Sequence, residues 1–173
     1  MDARRGSEPT PTKHRTTVER TSERELVVTR TFNAPARLVF EAWTKPELFR
    51  QWWVPKSMGM SLLSCEMDVR VGGRYRLEFA YGDSQSAFFG TYKEVTPHSR
   101  LVWTNEESDE GSVTTVTFAE RGGKTLLVMH ELYPSKEALD AAGTGAADAM
   151  VETFAQLDEL LVTLGASAGR LES

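Results

Sequence analysis

Met150-Val-Glu-Thr-Phe-Ala-Gln-Leu-Asp-Glu-Leu-Leu-Val-Thr-Leu164 is the stretch that decides how the rest of the chain is read. Its apolar residues Met150, Phe154, Leu157, Leu161 and Leu164 recur at helical steps of four and three, while Asp148, Glu152, Asp158 and Glu159 fall elsewhere on the wheel. The spacing predicts one long amphipathic helix with a single apolar stripe, which must lie on something apolar. An alanine- and glycine-rich segment precedes it. What lies upstream is a run of strands.

Six segments carry strand signals, each ended by turn residues. Leu62 to Val69 stops at Gly72-Gly73, Arg74 to Tyr81 at Gly82-Asp83, Ala87 to Thr96 at Pro97, and Arg100 to Asn105 in an acidic loop. Ser112 to Glu120 stops at Gly122-Gly123, and Lys124 to Leu132 at Pro134. Connections this short suit antiparallel hairpins rather than parallel crossovers. A further strand, Glu25 to Phe32, runs into Asn33-Ala-Pro35, read as a helix start with Asn33 as cap and Pro35 in the first turn. Two short helices follow: one carries Leu38, Val39, Ala42 and Trp43 and closes at Lys45-Pro46, and the other carries Leu48, Phe49, Trp52 and Trp53.

The expected class is therefore α+β, a curved seven-stranded antiparallel sheet wrapped around a long C-terminal helix, with two short helices after the first strand. A sheet with one apolar face must cover that face, and only the C-terminal helix is long enough. Space left between helix and sheet is the natural binding site. Alternation puts Tyr75, Leu77, Phe79 and Tyr81 on one strand face, joined by Tyr92 or Phe89, Leu101 with Trp103, Val116 with Phe118, and Leu127 with Met129. The expected cavity-lining residues are Trp43, Trp53, Tyr75, Leu77, Phe79, Tyr92, Trp103, Phe118, Met129, Met150 and Phe154. Met58 and Met60, flanking Gly59, are candidates for a flexible flap over the pocket mouth. Gly72-Gly73 reads as a turn entering a strand, and Asp68 and Arg70, two apart on one strand face, as residues placed either to form an ion pair or to pin a loop.

Catalysis would need polar groups converging in that cavity, and Tyr92, Glu94, His98 and His130 are the candidates. His98 follows Pro97 in a turn, and His130 lies one step out of phase with Leu127 and Met129, so alternation sends it to the other face. The sequence carries no Ser-His-Asp grouping, phosphate-binding loop or dinucleotide fingerprint, and no catalytic residue is assigned.

Composition narrows the partners. The 173 residues suit one domain with a real core, and 40% hydrophobic with 26% charged residues describes a globular chain. Cys65 alone cannot form an internal disulfide, and His14, His98 and His130 make no zinc pattern, so neither metal nor cofactor is expected. A net charge of −5 disfavours a broad phosphate-binding surface and hence nucleic acid. No segment resembles a signal peptide or membrane span, so a cytoplasmic protein without a membrane partner is expected. Residues 1–24 hold six basic and four acidic residues, a tail near +2 beside a body near −7. The expected domains are a mobile basic tail over 1–24, the folded unit over 25–165 and a short C-terminal tail over 166–173.

Several ordered motifs bear a resemblance to a known family: Thr29-Arg-Thr-Phe-Asn-Ala-Pro35, Val39-Phe-Glu-Ala-Trp-Thr-Lys-Pro-Glu47, Gln51-Trp-Trp53 and Met67-Asp-Val-Arg-Val-Gly-Gly73. Phe89-Gly-Thr-Tyr-Lys-Glu-Val-Thr-Pro97, Arg100-Leu-Val-Trp-Thr104, Val116-Thr-Phe118 and Ser135-Lys-Glu-Ala-Leu-Asp140 extend it, so that it covers about Glu25 to Leu164. The chain resembles the START-like (SRPBCC, or Bet v-like) superfamily, in the branch of heat-shock-protein-90 ATPase activator homologues. The resemblance implies a helix-grip fold and a hydrophobic cavity, but no single chemistry. The expected function is binding of a small apolar molecule such as a lipid, polyketide or aromatic metabolite, without catalysis. The alternatives are a cyclase or hydratase using the same cavity, and a stress-response co-chaperone that stimulates a heat-shock-protein-90 ATPase. A homodimer through a strand edge or the short helices is compatible with the sequence, which specifies none.

Overall fold

The first long strand and the last one are neighbours. In the computed structural model, which describes residues 16–106 and 111–172, β2 (Glu25–Phe32) pairs antiparallel with β8 (Lys124–Leu132). From there the sheet steps backwards along the chain through β7 (Ser112–Arg121), β6 (Arg100–Asn105), β5 (Ser84–Thr96), β4 (Arg74–Tyr81) and β3 (Met60–Met67). Glycine turns set the hairpins; Gly82 and Gly122 have φ of 60° and 63°, the left-handed region that side chains resist.

Among the described residues the sheet has eight strands rather than the expected seven. The addition is β1 (Thr17–Arg20), which pairs with β2 from Thr17 opposite Thr29 to Arg20 opposite Leu26. It falls inside the stretch read as tail, because four residues with a single apolar side chain give no pattern of their own; the edge of β2 supplies the pairing. Residues 1–15 of that tail lie outside the described residues.

Two helices carry the chain from β2 to the far edge of the sheet: α1 (Ala36–Thr44) and α2 (Pro46–Phe49). Asn33 does not cap α1. Pro35 occupies the cap position with extended backbone, and the Ala36 N–H donates instead to Glu120 Oε1 at 2.9 Å. Thr125 donates its hydroxyl to Ala34 O at 2.7 Å, so the β7–β8 hairpin fixes where α1 begins.

The long helix α3 runs from Lys136 to Glu172. It starts well before Met150 and passes the expected boundary at 165. Ser135 caps it, accepting from the Ala138 N–H at 3.1 Å, and the alanine- and glycine-rich segment is part of the helix. Its residues Phe154, Leu157 and Leu161 are fully buried. Phe154 packs edge-on against Phe32 at 5.9 Å and lies 6.1 Å from Trp43. Trp43 joins the layers: its ring lies 4.8 Å from Trp52, 5.9 Å from Trp103 and 6.3 Å from Phe118. Trp43 and Trp52 are core residues, as their helical spacing with Leu38 and Phe49 implies, and Trp53 is only partly buried.

Two bulges re-aim the strands. One lies between Leu62 and Ser64 on β3, the other between Tyr92 and Glu94 on β5. The second shifts the phase by one residue: Gly90 and Tyr92 face inward, Val95 pairs with the buried Leu101, and Glu94 is turned outward. No helix among the described residues is long and apolar enough to cross a membrane.

Candidate functional site

The strand register places five inward side chains in a row across the sheet. Leu26 sits opposite Glu131, Glu131 opposite Thr114, Thr114 opposite Trp103, and Trp103 opposite Tyr92. The neighbouring row is wholly apolar: Val28, Met129, Val116, Leu101 and Val95. Against the sheet, α1 packs on β7 and β8, and α3 packs on β2 and on α1. Over the mixed row a cleft of about 390 Å³ opens between sheet and helix, bounded by Leu26, Val28, Met129, Trp53, Phe88, Trp103, Ala149 and Met150 on its apolar sides. Asn105, Ser112, Thr114, Glu131 and Tyr133 form its polar wall. The volume lies in the range of small-molecule pockets.

Two smaller hollows adjoin it through shared residues Trp53 and Phe88. One, of about 200 Å³, extends toward Val54, Pro55, Met60, Phe79 and Thr153. The other, about 30 Å³, is barely larger than a water and reaches inward between Trp43, Phe49, Met67, Tyr75, Leu77 and Tyr92. Phe88 marks the open side: it shares the inward phase of Gly90 and Tyr92, yet is 42% exposed, and among the described residues its ring borders all three hollows.

Of the eleven residues expected to line a cavity, nine border these hollows: Trp43, Trp53, Tyr75, Leu77, Phe79, Tyr92, Trp103, Met129 and Met150. Phe118 and Phe154 border none of them; they are packed against Phe40, Trp43 and Phe32 and fill the closed half of the interior. Tyr81 shares the phase of Tyr75 and Phe79 but is 59% exposed, at the last residue of β4 beside the turn.

The polar candidates separate. Tyr92 is inside, and burial pushes its phenol far above the ordinary tyrosine range, so it is a neutral group throughout the physiological range. Glu94 is outside, turned there by the bulge, and accepts from Arg100 Nε at 3.1 Å. His130 is also on the outer face, 2.8 Å from Glu25. His98 lies exposed in its turn with its ring 5.6 Å from Phe40.

Polar residues that the sequence reading passed over make the cleft's polar wall. Tyr75 Oη lies 2.9 Å from both Thr104 O and Asn105 Oδ1. Asn105 Nδ2 donates to Ser112 Oγ and Thr114 Oγ1, each at 3.0 Å. Thr114, fully buried, donates to Glu131 Oε1. Burial and the nearby Glu131 carboxylate push Tyr133 up to about 12, which keeps it a donor. The signal was available: Glu131 is in phase with Leu127 and Met129, Asn105 with Leu101 and Trp103, and Thr114 with Val116 and Phe118. This donor set, one carboxylate among neutral hydroxyls and an amide, suits hydrogen bonding to an organic ligand rather than multidentate metal coordination.

The mouth is held by α3. Gln156 Nε2 donates to Trp52 O and Val54 O, both at 2.9 Å, and its Oε1 accepts from the Lys56 N–H at 2.9 Å. Glu152 accepts from the Ser57 N–H at 2.8 Å and from the Ser57 hydroxyl at 2.5 Å. The segment expected to be a flap is thus moored to the helix, with Met60 against the core; the Met58 side chain lies outside the described residues.

Comparisons with known proteins agree with this architecture. A protein from Nitrosomonas europaea, NE0264, is similar with a TM-score of 0.77 at 24% identity, over 85% of this chain and 99% of that one. A protein from Rhodobacter sphaeroides aligns with a TM-score of 0.79 at 24% identity, over 86% and 99%. One from Staphylococcus epidermidis gives 0.73 at 27% identity, over 85% and 94%. No curated protein sequence matches. The sequence pattern described as activator of Hsp90 ATPase homolog 1-like protein matches residues 33–162, three quarters of the chain. With its helix-grip fold, its motifs and that match, the chain belongs to the activator of Hsp90 ATPase homolog 1-like family, within the START-like superfamily.

Proposed function

We propose that this protein binds a small, largely apolar molecule in the cleft between α3 and the sheet, without transforming it. The observation that carries the reading is the inward-facing, 42% exposed Phe88 ring at the junction of three hollows. An unfilled apolar cleft leaves favourable burial unrealised, roughly 25 cal/mol for each Å² that a ligand would cover. Trp53, Trp103 and Met150 add adaptable apolar contact around it.

The expected enzymatic groups do not support a cyclase or hydratase. Glu94 and His130 are on the outer face, and Tyr92 is a buried phenol held neutral. A co-chaperone role rests on the family's name, and no feature of the cleft calls for it.

The test is a titration of the protein with a neutral naphthalene-bodied alcohol, followed by tryptophan emission and by ligand-observed NMR. Saturable binding with perturbation of Trp53 and Trp103 is the expected result. Absence of saturable binding by this probe and by native mass spectrometry of a small apolar library would contradict it.

A further inference from the structure

The inner hollow, about 30 Å³, has room for roughly one oxygen-sized group. Trp53, Phe88, Trp103 and Asn105 line both it and the main cleft, so it is the inward extension of that cleft. Tyr75 and Asn105 are engaged at its wall: the Tyr75 hydroxyl lies on Thr104 O and Asn105 Oδ1, and Asn105 Nδ2 donates to Ser112 and Thr114. Trp43 and Tyr92, whose rings line the same hollow, differ. The Trp43 Nε1–H is buried without a hydrogen-bond partner. The Tyr92 phenol is 4% exposed, and it is shifted by burial and then by the Cys65 thiol, with no hydrogen bond acting on it. Buried donors without partners are costly and uncommon in folded proteins, and two on the walls of one hollow mark where an acceptor belongs.

We infer that the ligand carries a neutral carbonyl oxygen, placed in the inner hollow as acceptor for the Tyr92 hydroxyl, with its apolar body against Trp53, Phe88 and Trp103. The inference rests on the binding function proposed above and narrows it. A carbonyl has two lone pairs and no hydrogen of its own to satisfy, so it serves Tyr92 and keeps a lone pair for Trp43. Among the described residues lining the hollow none is charged, so a carboxylate or an ammonium would lose its water there without a counter-charge. The volume takes an oxygen but not a second ring, so the ligand enters oxygen first.

The experiment uses a naphthyl methyl ketone, its isopropenyl isostere, in which a CH₂ replaces the carbonyl oxygen, and the matching naphthoate, each titrated calorimetrically into the wild-type chain and into Tyr92→Phe. Tyr92→Phe is expected to weaken the ketone roughly threefold to tenfold more than it changes the isostere, and the naphthoate should bind more weakly than the ketone. Infrared spectra of the bound ketone should show the carbonyl stretch below its position in a hydrocarbon solvent, moving back up in Tyr92→Phe. A ketone that the substitution affects no more than the isostere, a carbonyl stretch at its hydrocarbon position, or a naphthoate that binds as well as the ketone each overturns this inference while leaving apolar binding intact. If none of the three probes binds, both readings fall. Should the variant not fold, the carbonyl stretch in the wild type decides.

Discussion

Gln156 brackets Trp53: its amide nitrogen holds the carbonyls of Trp52 and Val54, the residues on either side, at 2.9 Å each. The indole that forms one wall of the cleft is therefore positioned from the helix that forms the opposite wall. Replacing Gln156 by Leu keeps helix propensity and apolar bulk but strips partners from two partly buried carbonyls. The expected cost is about 1–3 kcal/mol, seen as a lowered denaturation midpoint with a red-shifted tryptophan emission. An unchanged midpoint would show that the mooring is idle.

Glu152 should make the mouth sensitive to acid. Its bonds from the Ser57 hydroxyl and N–H hold its carboxyl below the ordinary value of 4.5. A carboxylate with a lowered folded value contributes its full stabilisation above the unfolded value and loses it as pH falls through the folded one. Amide exchange at Ser57, referenced to a core amide, is expected to be flat well above pH 4.5 and to accelerate progressively as pH falls below it. Glu152→Gln should flatten that response.

Phe88 and Phe154 should answer differently to truncation. Phe154 is fully buried against Phe32 and Trp43, and Phe154→Ala is expected to cost about 3–5 kcal/mol. Phe88 is 42% exposed, so Phe88→Ala should cost well under that range while weakening a neutral apolar probe several-fold. Chemical denaturation and probe titration on both variants separate core from cleft. Equal stability losses would mean that Phe88 belongs to the core.

Gly90 sits where two strands and a ring converge. A Cβ there would lie 1.8 Å from Thr104 O and 2.9 Å from the Tyr75 ring, with backbone on one side that cannot yield. Gly90→Ala is expected to destabilise by about 1–3 kcal/mol and to disturb the Tyr75–Asn105 end of the polar wall. A variant as stable as the wild type would place the β5–β6 approach wider than described.

Much of this was legible in the chain because alternation and glycine turns are local. Arg74–Tyr81, Arg100–Asn105 and Lys124–Leu132 are found with the bounds that their patterns imply. What escaped depends on partners distant in sequence. Glu94 looks inward by strict alternation, and only its pairing partner Val102 reveals the bulge that turns it out. Strand β1 has no pattern without the edge of β2. Glu120 caps α1 from a strand 84 residues away, which no local motif announces. Glu131 differs: its inward phase, shared with Leu127 and Met129, is readable from the sequence alone. A polar residue in core phase near a strand end is the signal to look for.

If the cleft over the Glu131–Thr114–Trp103 row is a binding site, filling it from Ala149 must abolish binding. Ala149 borders both larger hollows from α3, and Ala149→Phe would put a ring into the space a ligand needs. The decisive measurement is the affinity of the neutral naphthalene-bodied alcohol for the wild type and for Ala149→Phe, with thermal denaturation of both. The variant is expected to lose binding by at least about tenfold while its denaturation midpoint holds or rises, because the ring fills a hollow. A variant that binds the probe as the wild type does would contradict it.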